Sequence, residues 1–142
     1  MSRGYILKTK HIKMKEKDFI NKVHKALSKE LYKWKINDPY HGGVPDAFYS
    51  GPQGFLFVEY KYKQTLPKKA NSKIKINLSE QQRMWLRRAQ SHKLPAYVVF
   101  ASKDRVAVLT NPDLLYLCVA KFERISWPFD NYIAFLEKLC LK

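Results

Sequence analysis

The chain has 142 residues, of which 46% are hydrophobic and 14% aromatic, enough for one folded domain with a single sizeable core. Its 27 Lys and Arg residues against 12 Asp and Glu residues give a net charge of +15, which favours a polyanionic partner, nucleic acid before a membrane surface. No segment approaches the ~20 apolar residues of a membrane-spanning helix, and no signal-peptide pattern opens the chain, so we expect an intracellular protein without a membrane span. Cys118 and Cys140 lie in apolar segments without CxxC spacing, so no disulfide is expected.

The first predicted element is an amphipathic helix. Residues 1–14 form a basic arm that the sequence leaves open between an edge strand and a mobile segment. From Lys15 to about Tyr32, apolar side chains recur every four residues, which is the spacing of one helix face. The apolar residues of this face are Phe19, Val23, Leu27 and Leu31.

Three strands and a basic loop are predicted next. A strand from Leu31 to Ile36 leads into turn residues, and the segments from Val44 to Tyr49 and from Phe55 to Tyr62 form a hairpin around a short Gly/Pro loop. Residues 63–77 are lysine-rich and are predicted to be a loop, with a brief strand where Ile74 and Ile76 alternate with polar residues.

A second helix begins after Ser79, which is a good N-cap residue. Its inward face is predicted to carry Gln82, Trp85, Leu86 and Ala89, and its outward face Arg83, Arg87 and Arg88. A second hairpin follows, formed by the runs from Ala96 to Ala101 and from Arg105 to Thr110. A short helix is predicted from Asn111-Pro112 to about Val119, and a last helix after Pro128.

This order of elements predicts an α/β (α+β) fold, in which helices cover a central sheet. We expect residues 1–142 to form a single domain, in which the basic arm and the basic loop of residues 63–77 are the irregular parts.

The chemistry is predicted to lie in the first hairpin. When residues are paired symmetrically about its four-residue loop, Phe48 faces Phe57 and Asp46 faces Glu59. Opposed carboxylates on neighbouring strands repel each other unless a cation offsets their charge. Lys61 projects from the same face as Glu59, because strand side chains alternate. Carboxylate oxygens suit Mg²⁺ or Mn²⁺, and an ammonium group beside them favours phosphodiester hydrolysis.

These residues resemble a nuclease signature. Pro45-Asp46 followed by Glu59-Tyr60-Lys61 is similar to the motif of the PD-(D/E)XK superfamily. More narrowly, Gly43 to Asp46, Phe57 to Lys61 and Leu78 to Gln82 resemble the VRR-NUC group and Holliday junction resolvases. The resemblance spans residues 16–100. It implies a restriction-endonuclease-like core with a central mixed sheet flanked by helices in αβββαβ order.

The resemblance also implies roles for individual residues. Asp46 and Glu59 would bind Mg²⁺, with Mn²⁺ able to substitute, and the Tyr60 carbonyl would complete the coordination. Lys61 would be the catalytic lysine. Glu16 is the expected acid from the first helix because it lies one turn before the buried stripe, although it could instead be an acid favoured by the helix dipole.

Other positions have less specific expectations. Gln82 matches a glutamine near the scissile phosphate in this family, although Ser79 and Gln82 also make a capping box that needs no function. His41 lies in the loop before Asp46 and is expected to be an ordinary loop residue. Salt-dependent contacts with the DNA backbone are expected from Lys63, Lys68, Lys69, Lys73, Arg83, Arg87 and Arg88.

We therefore expect a metal-dependent DNA endonuclease acting on branched or structured DNA, compatible with a homodimer and with a phage source, in which case it would work in the host cytoplasm. Two alternatives remain: a non-catalytic nucleic-acid-binding module with the same fold, and a non-specific nicking or single-strand nuclease. The sequence does not choose between junction, flap, single strand and duplex, and it does not exclude RNA.

Overall fold

The computed structural model describes residues 14–142 of the chain. Apart from Met14, the basic arm predicted for residues 1–14 lies outside the described residues. The helices are α1 (Glu16–Ala26), α2 (Glu80–Ser91), α3 (Val119–Ile125) and α4 (Phe129–Leu141). The strands are β1 (Tyr32–Lys35), β2 (Ala47–Gly51), β3 (Gly54–Tyr62), β4 (Lys73–Lys75), β5 (Ala96–Ser102), β6 (Arg105–Leu109), β7 (Tyr116–Cys118) and β8 (Trp127–Pro128).

Six strands form a central mixed sheet in the order β1-β2-β3-β5-β6-β8. Strands β3 and β5 are parallel, and the other neighbours in this sheet are antiparallel. A parallel pair needs a crossover connection, which here contains β4 and α2. Strands β4 and β7 form a separate two-stranded sheet. The mixed sheet with flanking helices confirms the predicted fold class.

A hydrophobic core lies on each side of the central sheet. Because side chains alternate along a strand, Val58 and Tyr60 of β3 point into the core that contains Phe19 of α1 and Tyr132 of α4. A second core is formed around Phe100 of β5 by residues of α2, α3, β4 and β7. No helix among residues 14–142 combines the length and the apolar character that crossing a membrane requires.

One predicted helix bound and one predicted helix were wrong. Helix α1 ends at Ala26 rather than near Tyr32, although Leu27 and Leu31 are buried as its stripe predicted. The backbone N–H of Ser28 donates to Glu137 on α4 over 2.8 Å, and this tertiary contact lies where the helix has ended. The helix predicted from Asn111-Pro112 to Val119 is a turn followed by β7, whose backbone pairs with β4. Pairing with a distant strand cannot be read from a local pattern.

Candidate active site

The first hairpin has the predicted register. Phe48 pairs with Phe57, and Ser50 pairs with Phe55. The ladder ends at the pair of Ala47 and Val58, so Asp46 is the next residue of its strand segment and Glu59 is the next residue of β3. The short Gly/Pro loop therefore determines that Glu59 is the residue of β3 that lies beside Asp46.

Three carboxylates converge at this end of the hairpin. Glu16 at the start of α1, Asp46 and Glu59 each offer an oxygen atom, and these atoms all lie within 4.8 Å of one another. The Lys61 Nζ atom lies 3.4 Å from Glu59 Oε2. The structure thus brings together the three acids and the lysine that the sequence analysis selected.

Hydrogen bonds hold two of the carboxylates in place. Asp46 Oδ2 accepts a hydrogen bond of 2.8 Å from the backbone N–H of Tyr60. Glu59 Oε2 accepts one of 3.0 Å from the Gln82 side-chain amide. The other oxygen, Glu59 Oε1, is buried and has no hydrogen-bond partner within residues 14–142. Burying a hydrogen-bond acceptor without a donor costs free energy, which suggests that a bound group contacts Glu59 Oε1.

The electrostatics of the site are unfavourable without a cation. Burial, followed by the charge of Asp46, raises the pKa of Glu59 to about 8, against the opposing effect of Lys61. Burial also raises the pKa of Asp46 and of Glu16 above their ordinary values. A divalent cation among these oxygens would offset both the desolvation and the mutual repulsion of the carboxylates.

The residues fit a hard divalent metal ion. Three carboxylates provide the oxygen ligands that Mg²⁺ and Mn²⁺ prefer, and Glu59 Oε1 is free to bind. The coordination predicted for the Tyr60 carbonyl stays a prediction.

Gln82 has two structural roles at the start of α2. Its side-chain oxygen accepts from the backbone N–H of Ser79 over 2.9 Å, and its backbone N–H donates to the Ser79 hydroxyl over 3.1 Å, which is the capping box foreseen in the sequence. Its amide nitrogen then donates to Glu59. The capping box therefore orients the amide toward the carboxylate, so capping and a role in the site are compatible.

A glycine lets the loop before Asp46 approach α2. Gly43 has a φ of 84°, a conformation that side chains other than glycine rarely adopt. A Cβ atom built on Gly43 would lie 2.3 Å from the Gln81 carbonyl oxygen. This close backbone contact packs the loop that leads into Asp46 against the first turn of α2.

The residues predicted to contact DNA occupy different environments. The prediction that Arg83 points outward was wrong: it is buried, and its guanidinium donates to the Pro112 carbonyl. Arg87 is exposed but forms an ion pair of 2.7 Å with Asp113. Lys63 borders the site, and Lys73 lies over the Tyr116 ring. Lys68, Lys69 and Arg88 are exposed and form no ion pair within residues 14–142.

The structure also locates residues that the sequence analysis left without a role. His41 is exposed and paired with Asp38 at 2.7 Å, which agrees with an ordinary loop residue. Trp34 is 49% exposed and Tyr32 is 58% exposed, on the edge strand β1.

Lys75 and Asn77 border the same cavity as Glu16 and Lys61. Their alternation with buried residues was visible in the sequence, but their distance from the acids was not. Both cysteines are free.

With this geometry established, the fold can be compared with known structures. A Holliday junction resolvase, Hjc from the archaeal hyperthermophile Archaeoglobus fulgidus, superposes with a TM-score of 0.52 at 15% sequence identity, covering 84% of this chain and 95% of the resolvase. The two proteins share a fold. No protein-family model and no curated protein sequence matches the chain. The narrower resemblance to the VRR-NUC group therefore stays a prediction.

Proposed function

We propose that this chain is a divalent-metal-dependent endonuclease that hydrolyses phosphodiester bonds in branched DNA, with Mg²⁺ as the metal and Mn²⁺ able to replace it. The observation that carries the proposal is the convergence of Glu16, Asp46 and Glu59 within 4.8 Å, with Lys61 3.4 Å from Glu59. The shared fold with a protein described as a Holliday junction resolvase supports it. The net charge of +15 supports a polyanionic substrate.

Each residue would contribute a defined part of the reaction. Glu16, Asp46 and Glu59 would hold the metal, which, when bound, supplies Lewis acidity to a phosphate oxygen and lowers the pKa of a coordinated water. Lys61 places a positive charge where negative charge grows on the phosphate as water attacks phosphorus. The attacking water loses a proton to solvent, the P–O bond to the departing sugar oxygen breaks, and that oxygen takes up a proton from solvent, which leaves a phosphate monoester and a free hydroxyl. Gln82 keeps Glu59 in position through its amide.

The test is cleavage of a panel of end-labelled substrates: a four-way junction, a flap, a duplex and a single strand. We expect the wild-type protein to cut the junction in Mg²⁺ or Mn²⁺ and to be inactive in chelator. Asp46→Asn removes one ligand charge with little change in shape and should abolish cutting while DNA binding persists. Asp130→Asn is the matched control, because Asp130 is an exposed acid in the first turn of α4 and is not a member of the carboxylate cluster.

Two outcomes would replace this proposal. Salt-dependent binding without cleavage of any substrate in either metal would indicate the non-catalytic binding module. Equal cleavage of the junction, the duplex and the single strand would indicate a nuclease without preference for branched DNA.

We further propose that the active form is a homodimer. A four-way junction presents two equivalent strands, so a symmetric pair of active sites would cut both. The exposed aromatic side chains of Tyr32 and Trp34 on edge strand β1 are the kind of surface that a second copy covers. Analytical ultracentrifugation with and without junction DNA tests this. A stoichiometry of one chain per junction at saturation would contradict it.

A further inference from the structure

A small cavity adjoins the carboxylate cluster. It has a volume of about 100 Å³ and is bordered by Glu16, Lys61, Lys63, Lys75 and Asn77. Glu16 and Lys61 also belong to the candidate active site, so the cavity and the site share a wall. Any group bound in this cavity would lie beside the proposed scissile bond.

Strand pairing holds two of the polar residues at this cavity. Lys75 ends β4 and pairs with Tyr116 of β7, which fixes its backbone. Ile74 and Ile76 are each 1% exposed and point into the second core. Since side chains alternate, Lys75 and Asn77 project from the opposite side, toward the cavity. Two hydrophobic side chains therefore anchor the segment that presents the lysine and the amide.

The charge of the cavity selects an anion. Three of its side chains are lysines, and Glu16 is its acid. Lys61 is paired with Glu59, but Lys63 and Lys75 form no ion pair within residues 14–142. Every acidic side chain of the chain lies in this described part, because residues 1–13 contain no Asp or Glu. Two ammonium groups therefore remain available to an anion, and the Asn77 amide can add a hydrogen bond.

We propose that this cavity binds the phosphate that adjoins the scissile phosphate on the same DNA strand, with Lys75 and Asn77 as positioning residues. This inference rests on the proposed function for the identity of the bound strand. Tyr62 and Phe100 also border the cavity, but its small volume and its lysine and asparagine side chains suit a phosphodiester group better than a base. Contacts with two neighbouring phosphates, one at the carboxylates and one at Lys75, would prevent the DNA strand from sliding along its own axis. The contact reads the backbone and not the sequence.

The experiment uses binding and cleavage together. Junction strands are synthesised with one uncharged methylphosphonate linkage placed in turn at each position around the branch point. Binding is measured by fluorescence anisotropy in Ca²⁺ and cleavage in Mg²⁺, for wild type, Lys75→Ala, Lys75→Arg and Asn77→Ala. Lys138→Ala is the control, because it removes the same charge from an exposed position on α4.

We expect Lys75→Ala to weaken binding about 10-fold on unmodified DNA, and Lys75→Arg to restore most of it. The salt slope should fall by about 1, the value for one lost phosphate contact. At one linkage position the methylphosphonate should weaken wild-type binding by the same factor and abolish the effect of Lys75→Ala, because both changes remove the same contact. The effect of Asn77→Ala should be smaller and should vanish at the same position.

Two results would overturn the inference. One is a Lys75→Ala loss that equals the Lys138→Ala loss. The other is a loss that is the same at every methylphosphonate position, which would indicate a general charge effect. If the wild-type protein cuts nothing while the single-position coupling persists in binding, the proposed function fails and the phosphate site stands. If cleavage occurs without the coupling, the phosphate site alone fails.

Discussion

The two faces of strand β3 differ in whether their buried polar groups are satisfied by hydrogen bonds. On one face, the Tyr60 hydroxyl lies 2.8 Å from the Tyr49 hydroxyl and 2.7 Å from the Tyr132 hydroxyl, and Tyr49 also contacts His24 at 2.8 Å. On the other face, Glu59 is 2% exposed, lies near the acids Glu16 and Asp46, and leaves one oxygen without a partner.

The difference separates a structural network from a candidate active site. The tyrosine hydroxyls satisfy one another, so their burial costs little and fixes the packing of β2, β3 and α4. Burial and the neighbouring charges of Asp46 and Glu16 raise the pKa of Glu59, an environment that a bound cation would relieve. Backbone geometry is common to both faces, so the contrast comes from side-chain chemistry alone.

The largest expected effect is on the carboxylate face. Glu59→Gln keeps the shape of the side chain but removes the charge that binds metal. Cleavage of the junction in Mg²⁺ should fall at least about 1,000-fold, the scale of losing a major electrostatic contribution to catalysis. Single-turnover rates measure this. A loss of less than about 10-fold would remove Glu59 from the metal site.

The opposite result is expected on the tyrosine face. Tyr60→Phe leaves the Tyr132 hydroxyl without its partner, so the free energy of unfolding should fall by about 1–3 kcal/mol. Cleavage should stay within a few-fold of wild type at a temperature where the variant is folded. Tyr97→Phe is the control for chemical denaturation, because its hydroxyl makes no hydrogen bond within residues 14–142 and its loss should be nearly neutral. Equal destabilisation by the two variants would contradict the network.

The pH dependence of stability should also distinguish the faces. The pKa of Glu59 is raised from 4.5 to about 8 by burial and by Asp46, so the folded chain holds a proton that the unfolded chain has released between these values. In the metal-free protein, the contribution of Glu59 to the free energy of unfolding should therefore be largest below pH 4.5. This contribution should be lost as the pH rises to about 8. The limiting slope for one proton is about 1.4 kcal/mol per pH unit.

From about pH 7.5 to 8 the change in stability reflects Glu59 rather than His24. Burial, followed by the charges of Lys35 and Lys33, lowers the pKa of His24 from 6.5 to about 4, so His24 is largely neutral in both the folded and the unfolded state there. Urea denaturation in chelator over this window should give a falling stability for wild type and a flatter profile for Glu59→Gln. If the stability of wild type and of Glu59→Gln fell in parallel with pH, the proton taken up by the folded chain would not be on Glu59.

The smallest effect concerns the side-chain amide of Gln82, which donates to Glu59 on the carboxylate face. Gln82→Ala removes both the capping contact with Ser79 and the hydrogen bond to Glu59. We expect about 1 kcal/mol of destabilisation and about 10-fold slower cleavage. Ser79→Ala is the matched comparison, since it should cost similar stability and leave the cleavage rate close to wild type. Equal rates for the two variants would reduce Gln82 to a helix cap.

Local patterns explain how much of this could be predicted from sequence. The hairpin loop determines its own register, so the approach of Asp46 to Glu59 followed from counting residues. Likewise, Ser79 indicated the start of α2. The central sheet covered by helices followed from the order of elements, and its mixed character from the resemblance to PD-(D/E)XK nucleases, although the parallel pairing of β3 and β5 was not specified.

The failures involve contacts between distant residues. The contact of Ser28 with Glu137, 109 residues away, lies beside the early end of α1. Because Tyr116 pairs with Lys75, residues that were predicted to be helical form β7 instead. The same pairing places the lysine beside the site. Helical periodicity places Arg83 on the outward face, but its guanidinium is buried and donates to the Pro112 carbonyl.

The central claim is that Glu16, Asp46 and Glu59 bind one divalent cation together. Crystals grown with Mn²⁺, with diffraction data collected at the manganese absorption edge, test it directly. We expect an anomalous peak in contact with one oxygen of each of these three side chains, and its loss in Asp46→Asn. Carboxylates splayed apart, with no peak between them at saturating Mn²⁺, would contradict it.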